Sequence, residues 1–376
     1  MRAVCWHGIG NVRVESVAAT EIMGSRDAIV RVTSTGISGS DLHFYNGYFP
    51  SIVKGSVLGR EAIGEVVEIG SSVRKLMIGD RVIVPAHTTC GECYYCGKYL
   101  YSFCEGNTIY DGPKLDETDV KSGSQAEYVR VPFADSGPLI LPPEPADQQL
   151  LPLSSVFPAG YMAAENCGIE PGDSVAVWGC GAVGQFAIKS AWMLGAGRVF
   201  AIDNVTGRLE MAATNGLAET INFDMEDVPE ALAAMTDGRG PDRCIDAVGC
   251  EAHAGGTFDG SINFLKSSAF LAADRPHVYR QTIMACRKGG TISIPGVYVG
   301  YGDKIPIGAA MNKGLTIKQG RTDVRKYIPL LLKKILDGEI DPSYVITHEI
   351  PLDDAAMAYR IFNNKSDDCV KVILKP

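Results

Sequence analysis

Over the first 150 positions, apolar residues come in short runs broken by glycine and proline. Val12-Arg-Val-Glu and Ala28-Ile-Val-Arg-Val follow Gly-Asn and Ser-Arg-Asp turn signals, and Gly64-Glu-Val-Val-Glu-Ile-Gly and Asp80-Arg-Val-Ile-Val-Pro continue the series. Glu127-Tyr-Val-Arg-Val-Pro alternates with the period of two expected of a half-buried strand. Pro138, Pro142, Pro143, Pro145 and Pro152 then mark an irregular connector. Beyond it the pattern changes. Val175-Ala-Val-Trp, Val199-Phe-Ala-Ile-Asp, Cys244-Ile-Asp-Ala-Val and Gly290-Thr-Ile-Ser-Ile-Pro read as short buried strands. Helical spacing over 182–194 and 208–215 separates the first of them, so a parallel sheet covered on both faces is expected. An amphipathic helix is predicted over 324–336, with Lys333 and Lys334 in its last turns where the helix dipole favours cations. A final helix over 352–362 and a closing strand over 369–374 follow. The Gly/Ala/Ser-rich stretch from His253 to Pro276 is long for a loop and reads as a cofactor-covering segment or a lid.

The chain has 376 residues, 46% hydrophobic and 21% charged, which fits two or three soluble domains. Its net charge of −9, with no basic run, argues against nucleic acid or anionic membrane as partner. No stretch is apolar and long enough to span a bilayer. The opening Met1-Arg-Ala-Val-Cys-Trp-His has no apolar export core, so a cytoplasmic protein with reduced thiols is expected. Four of the 11 cysteines, Cys90, Cys93, Cys96 and Cys104, fall within fifteen positions. Four thiolates on one loop can close a tetrahedral zinc site and leave no open position, so such a zinc would be structural. Two disulfides or loose thiols are the alternative. The other seven cysteines are scattered and read as small core residues.

Gly179-Cys-Gly181-Ala-Val183-Gly184 fits G-x-G-x-x-G. It follows a predicted strand and opens a helix, and the next strand ends in Asp203, 19 residues after Gly184. In that context the first glycine makes a tight turn, the second admits the pyrophosphate and the third lets helix and strand pack closely. Asp203 would accept from the adenosine ribose hydroxyls and repel a 2′-phosphate, which favours NAD over NADP. Arg208, one turn on, either flanks the adenine or is solvated.

With the cysteine loop followed by this fingerprint, the chain resembles the zinc-containing medium-chain alcohol dehydrogenases. Gly36-Ile-Ser-Gly-Ser-Asp-Leu-His43, Leu58-Gly-Arg-Glu-Ala-Ile-Gly-Glu and Phe157-Pro-Ala-Gly-Tyr match their signatures in order. The segment after Gly249 and Ile340-Asp-Pro-Ser look most like the formaldehyde dehydrogenase-like bacterial branch. The resemblance covers essentially the whole chain. It implies an α/β protein: a GroES-like, mostly-β catalytic domain over 1–156, with the zinc loop at 90–104, completed by 312–376, and a doubly wound Rossmann domain over 157–311. It also implies one structural zinc per chain, a small-molecule substrate, and a homodimer or homotetramer formed through Rossmann edge strands, for which the strand 290–295 is a candidate.

The catalytic zinc is where the match fails. Ser38 stands where the family has a cysteine ligand, Arg60 where it has a histidine, and Ser155 where it has a cysteine or aspartate. A hydroxyl is a poor zinc ligand beside a thiolate, and a guanidinium cannot ligate at all. The structural zinc is therefore expected without a catalytic one. Arg60 is expected to point into the former metal site and pair with Asp41, Glu61 or both. Ser40 and His43 match the family's proton-relay hydroxyl and histidine, with His43 titrating near neutrality. By position, Val248 and Val297 would border the nicotinamide and Lys371 the pyrophosphate. The aromatic run Phe44, Tyr45, Tyr48 and Phe49 would either line the substrate pocket or pack on itself. Three readings follow: an NAD-dependent oxidoreductase acting on an activated alcohol or carbonyl without catalytic zinc; an NAD-bound enzyme whose transient oxidation drives elimination, epimerisation or hydrolysis; and a non-catalytic nucleotide-binding protein.

Overall fold

A computed structural model describes residues 1–48, 52–106, 123–251, 276–298 and 300–376. Phe49 and positions 253–275 of the expected lid lie outside the described residues. The chain forms two compact units, one of Met1–Pro158 with Thr322–Pro376 and the other of Ala159–Arg321.

The first unit is mainly antiparallel sheet. A hairpin of β1 (Arg2–Gly8) and β2 (Asn11–Ser16) stands beside a sheet of β3 (Ala28–Ile37), β4 (Ala62–Ile69), β5 (Arg81–Val84), β6 (Tyr128–Val131), β7 (Leu139–Ile140), β14 (His348–Pro351) and β15 (Val372–Lys375). The sheet order is β14-β15-β3-β4-β5-β7, with β6 also on β3. β3 is its hub. It pairs antiparallel with β4, β6 and β15, and Val372 lies opposite Ile37. Two segments far apart in sequence thus share one sheet. Gly64 marks a close approach between strands, where a Cβ would come within 2.2 Å of the Arg31 carbonyl oxygen. One core packs Val30, Val66, Val82 and Val129. Another packs Ile37, Tyr45, Tyr359 and Leu374, Tyr359 coming from the helix Ala355–Asn364.

The second unit is a six-stranded parallel sheet in the order β10-β9-β8-β11-β12-β13. Its strands are β8 (Ser174–Trp178), β9 (Arg198–Asp203), β10 (Glu219–Asn222), β11 (Arg243–Asp246), β12 (Thr291–Ile294) and β13 (Thr316–Gln319). The inner strands are almost continuously buried, as a sheet with helices on both faces requires. The edge strands β10 and β13 carry one inward apolar residue each, Ile221 and Ile317, so the sequence leaves them unmarked. Two expectations are corrected here. The strand at 290–295 is interior, between β11 and β13, and β13 is the edge. Because β13 pairs with β12, the chain leaves this unit ten residues later than the expected 311. Among the described residues, no helix is long and apolar enough to cross a membrane.

Candidate active site

In the second unit the three fingerprint glycines have three distinct surroundings. Gly179 follows β8 at φ +86°, and a Cβ there would meet Val248 Cγ2 at 2.6 Å. A Cβ on Gly184 would sit 1.7 Å from the Gly179 carbonyl oxygen, so the helix Ala182–Met193 packs against the turn only through glycine. A Cβ on Gly181, by contrast, would meet nothing nearer than an Arg208 guanidinium nitrogen at 3.6 Å. That open position caps the helix, whose first-turn N–H groups around Val183 offer an anion site. This is the arrangement a pyrophosphate requires.

Asp203 closes β9 and is 5% exposed. Its Oδ2 accepts the Cys180 N–H (2.7 Å), and its Oδ1 accepts those of Asn204 (2.7 Å) and Val205 (3.0 Å). Three of about four acceptor directions are thus used, which leaves capacity for a ribose hydroxyl. Arg208 is 9% exposed and lies beside the fingerprint turn, so the solvated alternative is not realised. A residue missed in the sequence, the fully buried Gln185, ties the two elements together by donating to the carbonyls of Cys180 (3.0 Å) and Arg208 (2.9 Å). An amide on the apolar side of a helix was its only signal. Val248 and Val297 sit on the turns after β11 and β12 and keep surface available.

In the first unit the altered positions gather around the helix Gly39–Tyr45. Ser38 caps it. Both its backbone N–H (2.8 Å) and its hydroxyl (2.9 Å) donate to Asp41 Oδ2, which also receives Gln125 Nε2 at 3.4 Å. Gln125 is held by the Tyr359 hydroxyl at 2.8 Å, so a buried polar chain runs from Tyr359 to Ser38. Arg60 is 9% exposed, and its guanidinium lies 5.7 Å from the centroid of the Phe44 ring. Burial raises the pKa of Asp41, and the positive charge of Arg60 opposes the rise. Ser40 is half-buried in the first turn of the helix. Ser155 is half-buried and ends the 3-10 turn Leu151–Ser154. Tyr45 packs into the core against Tyr359, while Phe44 and Tyr48 stay partly accessible beside Arg60 and His43.

Two expectations change. Glu61 pairs with Lys371 rather than Arg60, both side chains being fully buried. Lys371 Nζ also donates to the Ile37 carbonyl at 2.8 Å. Its ammonium is enclosed and already engaged, so it neutralises Glu61 and presents no surface to a pyrophosphate. The second change concerns His43, which is buried at 6% exposure, edge-on to Tyr48. Burial, and then the charge of Arg60, lowers its pKa to about 4. It is a neutral imidazole at pH 7 and does not titrate near neutrality.

The low pKa makes His43 a source of acid sensitivity. Unfolded, it binds a proton below about 6.5; folded, it resists until about 4. The unfolded state therefore binds more protons across that window, and stability falls as pH drops from about 6.5 to about 4, by about 3 kcal/mol. His43→Asn is expected to flatten this part of the stability–pH curve, measured by urea unfolding. Equal acid sensitivity in both proteins would refute the assignment.

The four clustered cysteines converge, with their Sγ atoms all within 4.8 Å of one another. All 11 cysteines are free thiols, so the disulfide alternative is not realised. The Cys90 N–H donates to Cys104 Sγ (3.1 Å), Cys93 N–H to Cys90 Sγ (3.4 Å), Cys96 N–H to Cys93 Sγ (3.5 Å) and Gly106 N–H to Cys104 Sγ (3.3 Å). Sulfurs on a tetrahedral zinc stand about 3.8 Å apart, and two of the pairs here stand at 4.0 Å. With backbone donors stabilising thiolate charge, the donor set fits zinc.

The chain is similar to known dehydrogenases. Residues 24–140 match the family model "Alcohol dehydrogenase GroES-like domain", and residues 182–272 match "Zinc-binding dehydrogenase". An uncharacterized zinc-type alcohol dehydrogenase-like protein of Bacillus subtilis is 40% identical over the whole of both chains. A formaldehyde dismutase of Pseudomonas putida is 33% identical, covering 100% of this chain and 97% of its own. The solved alcohol dehydrogenase of Thermus sp. ATN1 superposes with a TM-score of 0.84 at 33% identity, covering 100% of this chain and 99% of its own.

Proposed function

Because this chain belongs to the zinc-containing medium-chain alcohol dehydrogenase family, we propose that it is an NAD-dependent oxidoreductase working without a catalytic zinc. Its substrate would be an activated alcohol or carbonyl compound. One observation carries the metal-free reading. At the first ligand position, the Ser38 hydroxyl and N–H are both committed to Asp41. The second position carries a buried guanidinium, which repels a dication and offers it no lone pair.

NAD, when bound, supplies the hydride acceptor or donor. Gly179, Gly181, Val183 and Gly184 would seat its pyrophosphate, Asp203 and Arg208 its adenosine end, and Val248 and Val297 its nicotinamide. In place of the metal, Arg60 stabilises negative charge developing on the substrate oxygen. Ser40 hydrogen-bonds that oxygen and takes its proton. His43 stays neutral at pH 7, so it passes the proton by accepting on one ring nitrogen and donating from the other. A guanidinium polarises less than a zinc ion, hence the activated substrate.

One structural zinc on Cys90, Cys93, Cys96 and Cys104 is part of the proposal, supported by their geometry. So is a homodimer or homotetramer, supported by the edge position of β13 in the sheet. The eleven free thiols suit a reducing cytoplasm. A second reading, transient oxidation with no net redox change, is favoured by the likeness to a dismutase, an enzyme type that consumes no external oxidant.

Native mass spectrometry of protein expressed with excess zinc tests the central claim. One zinc per chain is expected, with NAD bound in preference to NADP and weakened at least tenfold by Asp203→Ala. Two zincs per chain would overturn it. NAD that co-purifies and turns over with no net absorbance change would select the second reading.

A further inference from the structure

At the carboxyl ends of β11 and β12, two turns lie backbone against backbone. A Cβ on Gly249 would come within 2.5 Å of the Val297 carbonyl oxygen, and one on Gly296 within 2.5 Å of the Gly249 nitrogen. The Cys250 N–H donates to the Val297 carbonyl at 2.8 Å. Beneath both turns sits Asp246, fully buried. Its Oδ1 accepts the N–H groups of Val248 and Gly249, each at 3.0 Å, and its Oδ2 accepts the Tyr298 hydroxyl at 2.8 Å. Its main-chain oxygen takes the Gly296 N–H at 3.0 Å. One residue thus holds both turns, and Tyr298 is the side-chain link between its carboxyl and the second of them.

In an open parallel sheet a dinucleotide lies across the point where strand order reverses, outside the carboxyl ends of the strands. Here that point falls between β8 and β11. The fingerprint and Asp203 occupy the β8–β9 side, which is the adenosine half. The other nucleoside must therefore meet the turns after β11 and β12, where Val248 and Val297 are among the described side chains with surface available. We propose that Asp246 and Tyr298 are positioning residues for the nicotinamide half of the cofactor, fixing the two valines as one rigid platform. This rests on the NAD reading above. Neither residue touches the ring; they act through the turns they lock.

The test compares two probes, NAD and ADP-ribose, which share everything except the nicotinamide. Calorimetric titration of the full chain with each is expected to show that Tyr298→Phe weakens NAD about tenfold and leaves ADP-ribose within twofold. Phenylalanine keeps the ring, and with it the contact with Tyr279, and removes only the hydroxyl; Asp246→Asn should shift the same ratio in the same direction. Parallel losses for both probes, or a lowered melting temperature with an unchanged ratio, would overturn the proposal and leave the pair a purely structural brace. Failure of the wild-type chain to bind either probe would overturn the NAD reading, and this inference with it.

Discussion

Lys371→Met is expected to destabilise the protein by about 3–5 kcal/mol, because it leaves the Glu61 carboxylate buried with its cation gone. The environment allows little relief. Both side chains are at 0% exposure, and a Cβ on the neighbouring Gly36 would already lie 2.2 Å from Glu61 Oε2. Glu61→Gln combined with Lys371→Met removes both charges and should restore most of the loss, since a buried pair is worth little over a neutral replacement of similar size. Urea unfolding of the two variants decides the matter. A single variant within 1 kcal/mol of wild type would mean that water or another cation reaches Glu61.

The second large effect is a gain of metal. Ser38→Cys, Arg60→His and Ser155→Cys together should raise zinc from one to two per chain, read by native mass spectrometry. The triple change removes a cation, introduces two thiols that ionise on binding and adds a neutral imidazole, which together form a three-ligand set. Asp41, now accepting from Ser38, is placed to accept from that imidazole and orient it. Only one zinc in the triple variant would mean that Ser155 does not converge with the other two positions.

The parallel sheet and the fingerprint were readable because buried strands and obligatory glycines write themselves locally. The four-cysteine loop was readable for the same reason: its ligands lie within fifteen positions. What escaped depends on partners far apart in sequence. Lys371 meets Glu61 across 310 positions, and no local pattern distinguishes a buried lysine in a strand from one that reaches solvent. Gln125 and Tyr359 meet across 234. The edge strand β13 escaped because one inward isoleucine is too little periodicity, and its absence misplaced both the domain junction and the sheet edge. His43 was found by motif, but its low pKa follows from burial beside Arg60, which the motif does not specify.

The pairing of β15 with β3 also bears on the order in which the molecule is made. A ribosome delivers residues 159–321 as one uninterrupted stretch, and that unit has all six of its described strands once β13 emerges. The first unit must wait, because the Thr35–Ile37 end of β3 lacks its β15 partner and Glu61 lacks its counter-charge until residues 371–375 leave the exit tunnel. At a synthesis rate of about 5–20 residues per second, that interval is on the order of ten seconds to a minute. Throughout it that end of β3 offers unpaired backbone to any other strand nearby. The earliest-made strands of the first unit are thus the last to complete their sheet.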